Sequence, residues 1–221
     1  MVPLLLWRPD RPEPGHWRMS AMDVGQGSAI LVETANQSLL FDDARMWPDA
    51  GNAQPDLPEA MARCEREAQW EADGVVFTFL HPGPSGRSAK PDDRNADSCV
   101  LHVAGASHSL LLTGDVGVAQ EKEMVSLGLT NVDVVMAPHH GSASSSGREL
   151  VQAVEAKHVI AQAGHLNRFR HPARAVALRW TRAGSRFWRS DRDGAVTAES
   201  RPERLNVWGQ REWAGRYWHG R

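Results

Sequence analysis

His139 and His140 stand side by side between Pro138 and Gly141-Ser142. Imidazole is the commonest side-chain metal ligand and titrates near neutral pH. The apolar run 134–137 before them reads as a buried strand that ends at the proline. Imidazoles at a strand's C-terminal end, beside a glycine that lets backbone approach closely, suit a site that holds metal or phosphate. One of the pair would serve as ligand and the other as a phosphate or proton contact; the sequence does not say which. The bland reading is a surface histidine pair. Asp115 closes another apolar run after Thr113-Gly114, which suits a bridging carboxylate or, equally, the N-cap of a following helix. His171, before a proline at a helix start, is as good a structural turn as a chemical group beside Arg168.

The elements that must position these groups fall into two styles. Strands are expected at 17–23, 29–33 and 39–43, joined by hairpin-like turns at 24–28 and 36–38. Residues 44–58 read as irregular because of Pro48, Gly51, Pro55 and Pro58, and 59–70 as weakly helical or irregular. Strands follow at 75–80, 98–103 and 109–112, with a long polar loop over 81–97. From there the pattern becomes strand–helix alternation: helix 118–127, strand 132–137, helix 145–156 with Ser144 or Ser145 as N-cap, strand 158–162, helix 172–183 with Pro172 in its first turn, and strand 185–188. Meandering strands followed by strand–helix units indicate a layered α/β (α+β) domain. Gly25-Gln26-Gly27 lacks the G-x-G-x-x-G pattern of a phosphate loop and reads as a hairpin turn, with a backbone amide or Gln26 facing substrate as the alternative. His16, His81, His102, His108, His158, His165 and His219 have no paired spacing and read as ordinary polar or turn residues.

Composition sets the bounds. A chain of 221 residues with 41% apolar content can bury one good core. The formal charge of -2 does not advertise a nucleic-acid binder, though it leaves room for a local basic patch. Cys64 and Cys99 lie far apart without metal-type spacing, so buried free thiols are expected in preference to a disulfide. No apolar run approaches the roughly 20 residues of a membrane span. Residues 1–7 are too short for a signal peptide and stand as the stub of something longer or as a floppy start. Residues 1–16 are linker-like, 17–200 form the domain, and 201–221 an Arg/Trp-rich extension. Its interleaved Trp and Arg could stack on bases, but an edge strand or arm over the sheet is the favoured reading.

Six pieces lie in order: Met22-Asp23-Val24-Gly25-Gln26-Gly27-Ser28-Ala29, Leu40-Phe41-Asp42, Leu111-Leu112-Thr113-Gly114-Asp115, Ala137-Pro138-His139-His140-Gly141-Ser142 with Ser144-Ser145-Ser146, Asn167-Arg168-Phe169-Arg170-His171-Pro172, and Asp191-Arg192-Asp193-Gly194-Ala195-Val196. Together they resemble the C-terminal metallo-β-lactamase-like domain of ComEC-type DNA-internalisation competence proteins, over residues 17 to 198. The resemblance implies a four-layer αββα sandwich with a divalent metal site, zinc or manganese, at the strand ends. It implies Asp115, His139, His140 and Asp42 as metal-site residues, with Asp42 supporting the ligands from outside; Asp43 beside it departs from the usual small residue. It implies His139, His140, His171 and Arg168 as catalytic residues and Gln26, Ser142 and Asn167 as substrate contacts. It further implies DNA and a membrane channel portion as partners, attachment to the inner membrane on its periplasmic side, and degradation of the DNA strand that does not enter the cell. No small-molecule cofactor is expected.

One block of the resemblance is missing. In that superfamily the metals are held chiefly by a His-x-(His or Asp)-x-Asp-His sequence after the strand that ends at the Asp42 position. That spacing occurs nowhere in this chain. The sequence passes from Phe41-Asp42-Asp43-Ala44 to Arg45-Met46-Trp47-Pro48, which reads as an internal deletion that truncates the fold. The remaining donors are too few for a normal two-metal centre. The expectation is therefore a nuclease-type domain, inactive or impaired. The alternatives are a dead DNA-binding or assembly module and another phosphodiesterase or hydrolase of the same fold. The deletion is also expected to leave an exposed sheet edge or groove.

Overall fold

The computed structural model describes residues 10–42, 45–49, 64–83 and 94–214. Expectations for residues 1–7, for the junction at Asp43-Ala44 and 50–63, for the loop 84–93 and for 215–221 lie outside the described residues.

The first sheet is antiparallel throughout. It is built from β1 (Arg18–Ala21), β2 (Ile30–Glu33), β3 (Ser38–Asp42), β4 (Arg45–Asp49), β12 (Val196–Arg201) and β13 (Arg204–Gly209), in the order β13-β12-β1-β2-β3-β4. Its strands alternate buried and half-buried residues, the period of a sheet with one face in the core. Met19, Ala21, Ile30, Val32, Leu39, Phe41, Val196 and Ala198 form the inner face.

The second sheet is mixed. It contains β5 (Gln69–Ala72), β6 (Val75–His81), β7 (Val100–Ala104), β8 (Ser109–Thr113), β9 (Val134–Met136), β10 (His158–Ala161) and β11 (Arg186–Arg189), in the order β11-β10-β9-β8-β7-β6-β5. The strands from β8 to β11 run parallel, and their central members are buried on both faces, as parallel strands must be. Leu110, Leu112, Val134, Met136 and Ile160 meet the first sheet. Leu111, Val135, Val159 and Ala161 turn the other way, into a second cluster with Met124, Leu150, Val176 and Trp180. Those last residues come from α1 (Val118–Ser126), α2 (Arg148–Val154) and α3 (Arg174–Arg182).

The architecture is thus an α+β sandwich, two sheets face to face with helices outside. The helical layer expected on the outer face of the first sheet has no member in the helix-packed cluster of described residues, which includes no residue of that sheet. No helix among the described residues is long and apolar enough to cross a membrane.

Four local expectations are corrected. The stretch expected to be irregular contains β4, paired with β3 with Leu39 opposite Pro48; β4 is an outer strand of its sheet, the place where a proline's missing N–H is tolerated. Residues 69 and 70 begin β5, which pairs with β6 across Asp73-Gly74, with Trp70 stacked on Phe77 at 4.8 Å. The helix expected from Ser145 starts at Arg148 with Gly147 as N-cap, because the Ser145 hydroxyl donates to the Pro138 and Ser142 carbonyls. Cys64 and Cys99, expected as free thiols, form a disulfide; the hairpins of the second sheet bring together what the sequence separates.

Residues 10–16 hold no regular element but dock on the sandwich: Gly15 donates to the Asp73 carbonyl and accepts from Ala106. The described part of the C-terminal stretch is the edge strand β13 and one helical turn, Gln210–Trp213, where Arg211 pairs with Asp23 at 2.8 Å.

Candidate functional site

The site grows from the ends of β8 and β9. Thr113 donates its hydroxyl hydrogen to the Met136 carbonyl at 2.8 Å, fixing the two strand ends together, and Asp115 follows at once. After β9 the chain turns through Pro138–Gly141, where His139 (φ 52°), His140 (φ 55°) and Gly141 (φ 78°) are all left-handed. Left-handed non-glycine residues cost on the order of 1 kcal/mol each and persist only where their surroundings over-determine them. Here His139 N–H donates to the Gly114 carbonyl, Ser142 N–H to the His139 carbonyl, and Ala173 N–H to the Gly141 carbonyl. Gly141 has no substitute: a Cβ there would lie 2.7 Å from Pro172 Cβ.

The Ser142-to-Gly147 loop is braced from behind. Glu121 of α1, fully buried, accepts the Ser146 and Gly147 N–H groups at 2.6 Å each. Arg179 of α3 donates to the Ser146 carbonyl. Burial pushes the Glu121 carboxyl above its ordinary range, against the two N–H groups and Arg179, which favour its ionised form.

His140 is half-buried and oriented from both ends. Its Nδ1 lies 3.0 Å from the Gln162 carbonyl, which can only accept, so Nδ1 carries the hydrogen. Nε2 then faces Asp115 Oδ1 at 3.5 Å. An imidazole nitrogen opposite a carboxylate is satisfied by a proton or a cation between them, and an outer hydrogen bond from Nδ1 to a carbonyl is how metal-ligating histidines are oriented. His139 lies beside this pair, with ring centroids 6.5 Å from His140 and 5.7 Å from His171. Asn95 Nδ2 is 3.5 Å from His139 Nε2. Burial, then the imidazoles of His139 and His140, hold the His171 pKa below that of a free imidazole.

The other expected residues take varied places. Asn167 clamps the loop before His171: its Nδ2 donates to the Gly164 and His171 carbonyls, and its Oδ1 accepts from His171 N–H. Gln26 accepts the Gly164 N–H at 3.3 Å, and Gly164 is needed because a Cβ there would sit 3.0 Å from Gln26 N. Ser142 is buried, with its hydroxyl 3.0 Å from that of Ser144. Arg168 is exposed, its guanidinium 4.7 Å from the centre of the Phe169 ring. Asp42 is the exposed end of β3.

Sequence reasoning did not single out Gln162, Asn95 or Glu121. Gln162 orients His140 through its carbonyl and spans to the first sheet, its Nε2 donating to the Met22 and Ala29 carbonyls at 2.8 and 3.0 Å. Its position directly after an apolar strand, beside the Met22–Ala29 motif only in space, gave a weak signal. Asn95 and Glu121 had none.

The family's divalent metal can be tested against this donor set. Asp115 and His140 are correctly paired and oriented, but two donors fall short of the three or four protein ligands of a metal centre. Among the described residues, no group of three His, Cys, Asp or Glu side chains is arranged to hold a metal. The set does not fit a two-metal centre.

Two facing sheets thus gather imidazoles and a carboxylate at the ends of their strands. No family model matches the chain. It is 29% identical over 234 residues to Competence protein ComA of Neisseria gonorrhoeae, a match that covers 86% of this chain and 33% of that protein. It is 33% identical over 124 residues to ComE operon protein 3 of Bacillus subtilis, covering 55% of this chain and 15% of that one. Among solved structures, a mutant of CmlA beta-hydroxylase superposes with a TM-score of 0.46 at 10% identity, covering 81% of this chain and 53% of the other. The chain is thus similar to competence proteins of the ComEC type and spans a third or less of the length of these curated relatives.

Proposed function

We propose that this chain is a DNA-handling domain of the DNA-uptake apparatus, descended from a metal-dependent nuclease that degrades the non-transported strand, with its catalysis lost or impaired. One observation carries the reading. Asp115, His139, His140 and His171 are still gathered and braced at the strand ends, while the His-x-(His or Asp)-x-Asp-His spacing that would face them occurs nowhere in the sequence. Without those ligands no strong hydroxide nucleophile forms by the two-metal route. The imidazoles retain the chemistry of phosphate recognition, which favours a role in binding or assembly. The inferred partners are DNA and the membrane channel portion of a competence protein. The Cys64–Cys99 disulfide supports placement in an oxidising compartment, as on the periplasmic side of the inner membrane.

Metal analysis of the purified chain, combined with a nuclease assay in Mn²⁺ or Zn²⁺, tests this reading. The expected result is fewer than two tightly bound metals per chain and little or no cleavage. Two metals per chain with robust cleavage that His140→Ala abolishes would overturn it.

A further inference from the structure

Between Gly164 and α3 the chain reads His165-Leu166-Asn167-Arg168-Phe169-Arg170-His171-Pro172-Ala173-Arg174, with no acidic residue. In a chain of net charge -2 this is a local cationic segment. Arg168, Arg170 and Arg174 are exposed, and none makes an ion pair with a described residue. Two large apolar side chains are exposed with them, Leu166 (87%) and Phe169 (52%). The loop is held in this form. Leu166 and Arg170 are left-handed, at φ 50° and 57°, and the Asn167 clamp fixes the turn between them. Strain of this kind, kept at an exposed apolar tip, is characteristic of ligand clamps.

The planar groups of the loop form a ladder. The Arg168 guanidinium lies over Phe169; the Phe169 ring stacks on His171 at 5.8 Å and 15°; and His171 meets His139 edge-on at 5.7 Å. The ladder leads from an exposed cation–aromatic pair directly to the imidazoles. A surface of this chemistry takes flat apolar rings that carry negative charge beside them. Unpaired nucleobases fit, because they offer their faces to aromatic and guanidinium planes while their phosphates seek cations.

We propose that the 165–171 loop is a stacking platform for an unpaired base of single-stranded DNA. Phe169 and the Arg168 guanidinium supply the stacking surface, and the histidine cluster receives the neighbouring phosphate. The inference rests on the DNA-handling role proposed above and adds the contacting residues and the preference for unpaired bases. A duplex satisfies it poorly, since its base faces are already stacked. An anionic membrane would also attract exposed Leu, Phe and Arg, but it does not account for the ladder's continuation into imidazoles.

The test is fluorescence anisotropy on the full chain with EDTA present, so that no cleavage intervenes. The probes are a labelled single-stranded oligodeoxynucleotide, the same strand with abasic sites, its duplex, and phosphatidylglycerol vesicles. Circular dichroism confirms that each variant is folded. Phe169→Ala should weaken binding of the single strand about ten-fold, and Phe169→Trp should restore it. The abasic strand should bind wild type about as weakly as the normal strand binds Phe169→Ala. Equal binding of normal and abasic strands, or an unchanged affinity in Phe169→Ala, overturns the platform but leaves the DNA-handling role standing. So does a Phe169 effect confined to vesicles. Absence of binding to any oligonucleotide by the folded wild type overturns both.

Discussion

At the end of the sandwich where the motifs meet, the second sheet and its helices contribute Asp115, His139, His140 and His171. The first sheet contributes the Gln26 turn. The two halves are secured differently. On the second-sheet side, a fully buried carboxylate, an arginine from another helix, three serines and a strand-end threonine hold the histidine turn in left-handed conformations. On the first-sheet side, the Gln26 turn is tied across by Gln162 and Gly164, and Asp42 is exposed at its strand end. The lesson is that this site's support is part of the core and its chemistry is not. Glu121 and Arg179 cannot be removed without leaving buried N–H and C=O groups unsatisfied, whereas ligands at a strand end can be lost with little damage to packing.

The strongest way to break that comparison is to loosen the second-sheet side at its entry. The Cys64–Cys99 disulfide closes a loop with a sequence separation of 35. By the chain-entropy model, a crosslink of that span contributes about 4 kcal/mol. Reduction, or Cys99→Ser with Cys64→Ser, should lower the urea midpoint accordingly. An unchanged midpoint would mean that the crosslink carries none of the second sheet's rigidity.

Next in size is the support of the histidine turn. Glu121→Ala leaves two buried N–H groups without their acceptor and should cost about 3 kcal/mol. Hydrogen exchange should quicken over 139–147 and stay unchanged in the first sheet. Equal acceleration in both sheets would erase the proposed contrast between them.

The smallest and most gradual effect is that of pH. Burial raises the pKa values of the Asp73, Asp133 and Glu199 carboxyls, but hydrogen bonds and ion pairs from Thr34 and Asn36, from Lys157 and Ser109, and from Arg201 and Arg18 outweigh it, so all three end below their ordinary range. Burial holds His102, and chiefly burial holds His108 and His158, below the usual imidazole value. A depressed folded-state pKa contributes stability that is present above the unfolded value and lost as pH falls through the folded one. The histidines should begin to weaken the fold below about pH 6.5 and the carboxylates below about pH 4. Glu121, with its raised pKa, acts in the opposite sense, losing stability as pH rises. The urea midpoint should therefore decline from pH 7 toward pH 4. A midpoint that rises over that interval would show that Glu121 outweighs the other groups.

Much of the site was legible because its signals are local. An apolar run that stops at Pro138, a histidine pair and a glycine occupy one short stretch, and Thr113-Gly114-Asp115 marks a second strand end. Strand alternation and the later strand–helix units likewise predicted a layered sheet-and-helix domain, and the resemblance implied its two facing sheets with helices outside. The misses share a cause. Pro48 argues against a strand unless the strand is at an edge, and edge position is a property of the assembled sheet. Ser145 reads as an N-cap until the Pro138 carbonyl is known to lie within its reach. The Cys64–Cys99 bond depends on which hairpins pair.

The sequence by itself determined that this chain carries the six motifs in order, that Asp115 and the histidine pair follow buried strands, and that a His-x-(His or Asp)-x-Asp-His spacing occurs nowhere in it. These follow from residue type and spacing, which a linear pattern records. Only the tertiary structure decided that His140 is aimed at Asp115 by Gln162, that His171 reaches His139, and that Arg168 and Phe169 continue their planes outward. Such contacts join residues remote in the chain, and their geometry is set by how the two sheets pack on each other and the helices on the second sheet.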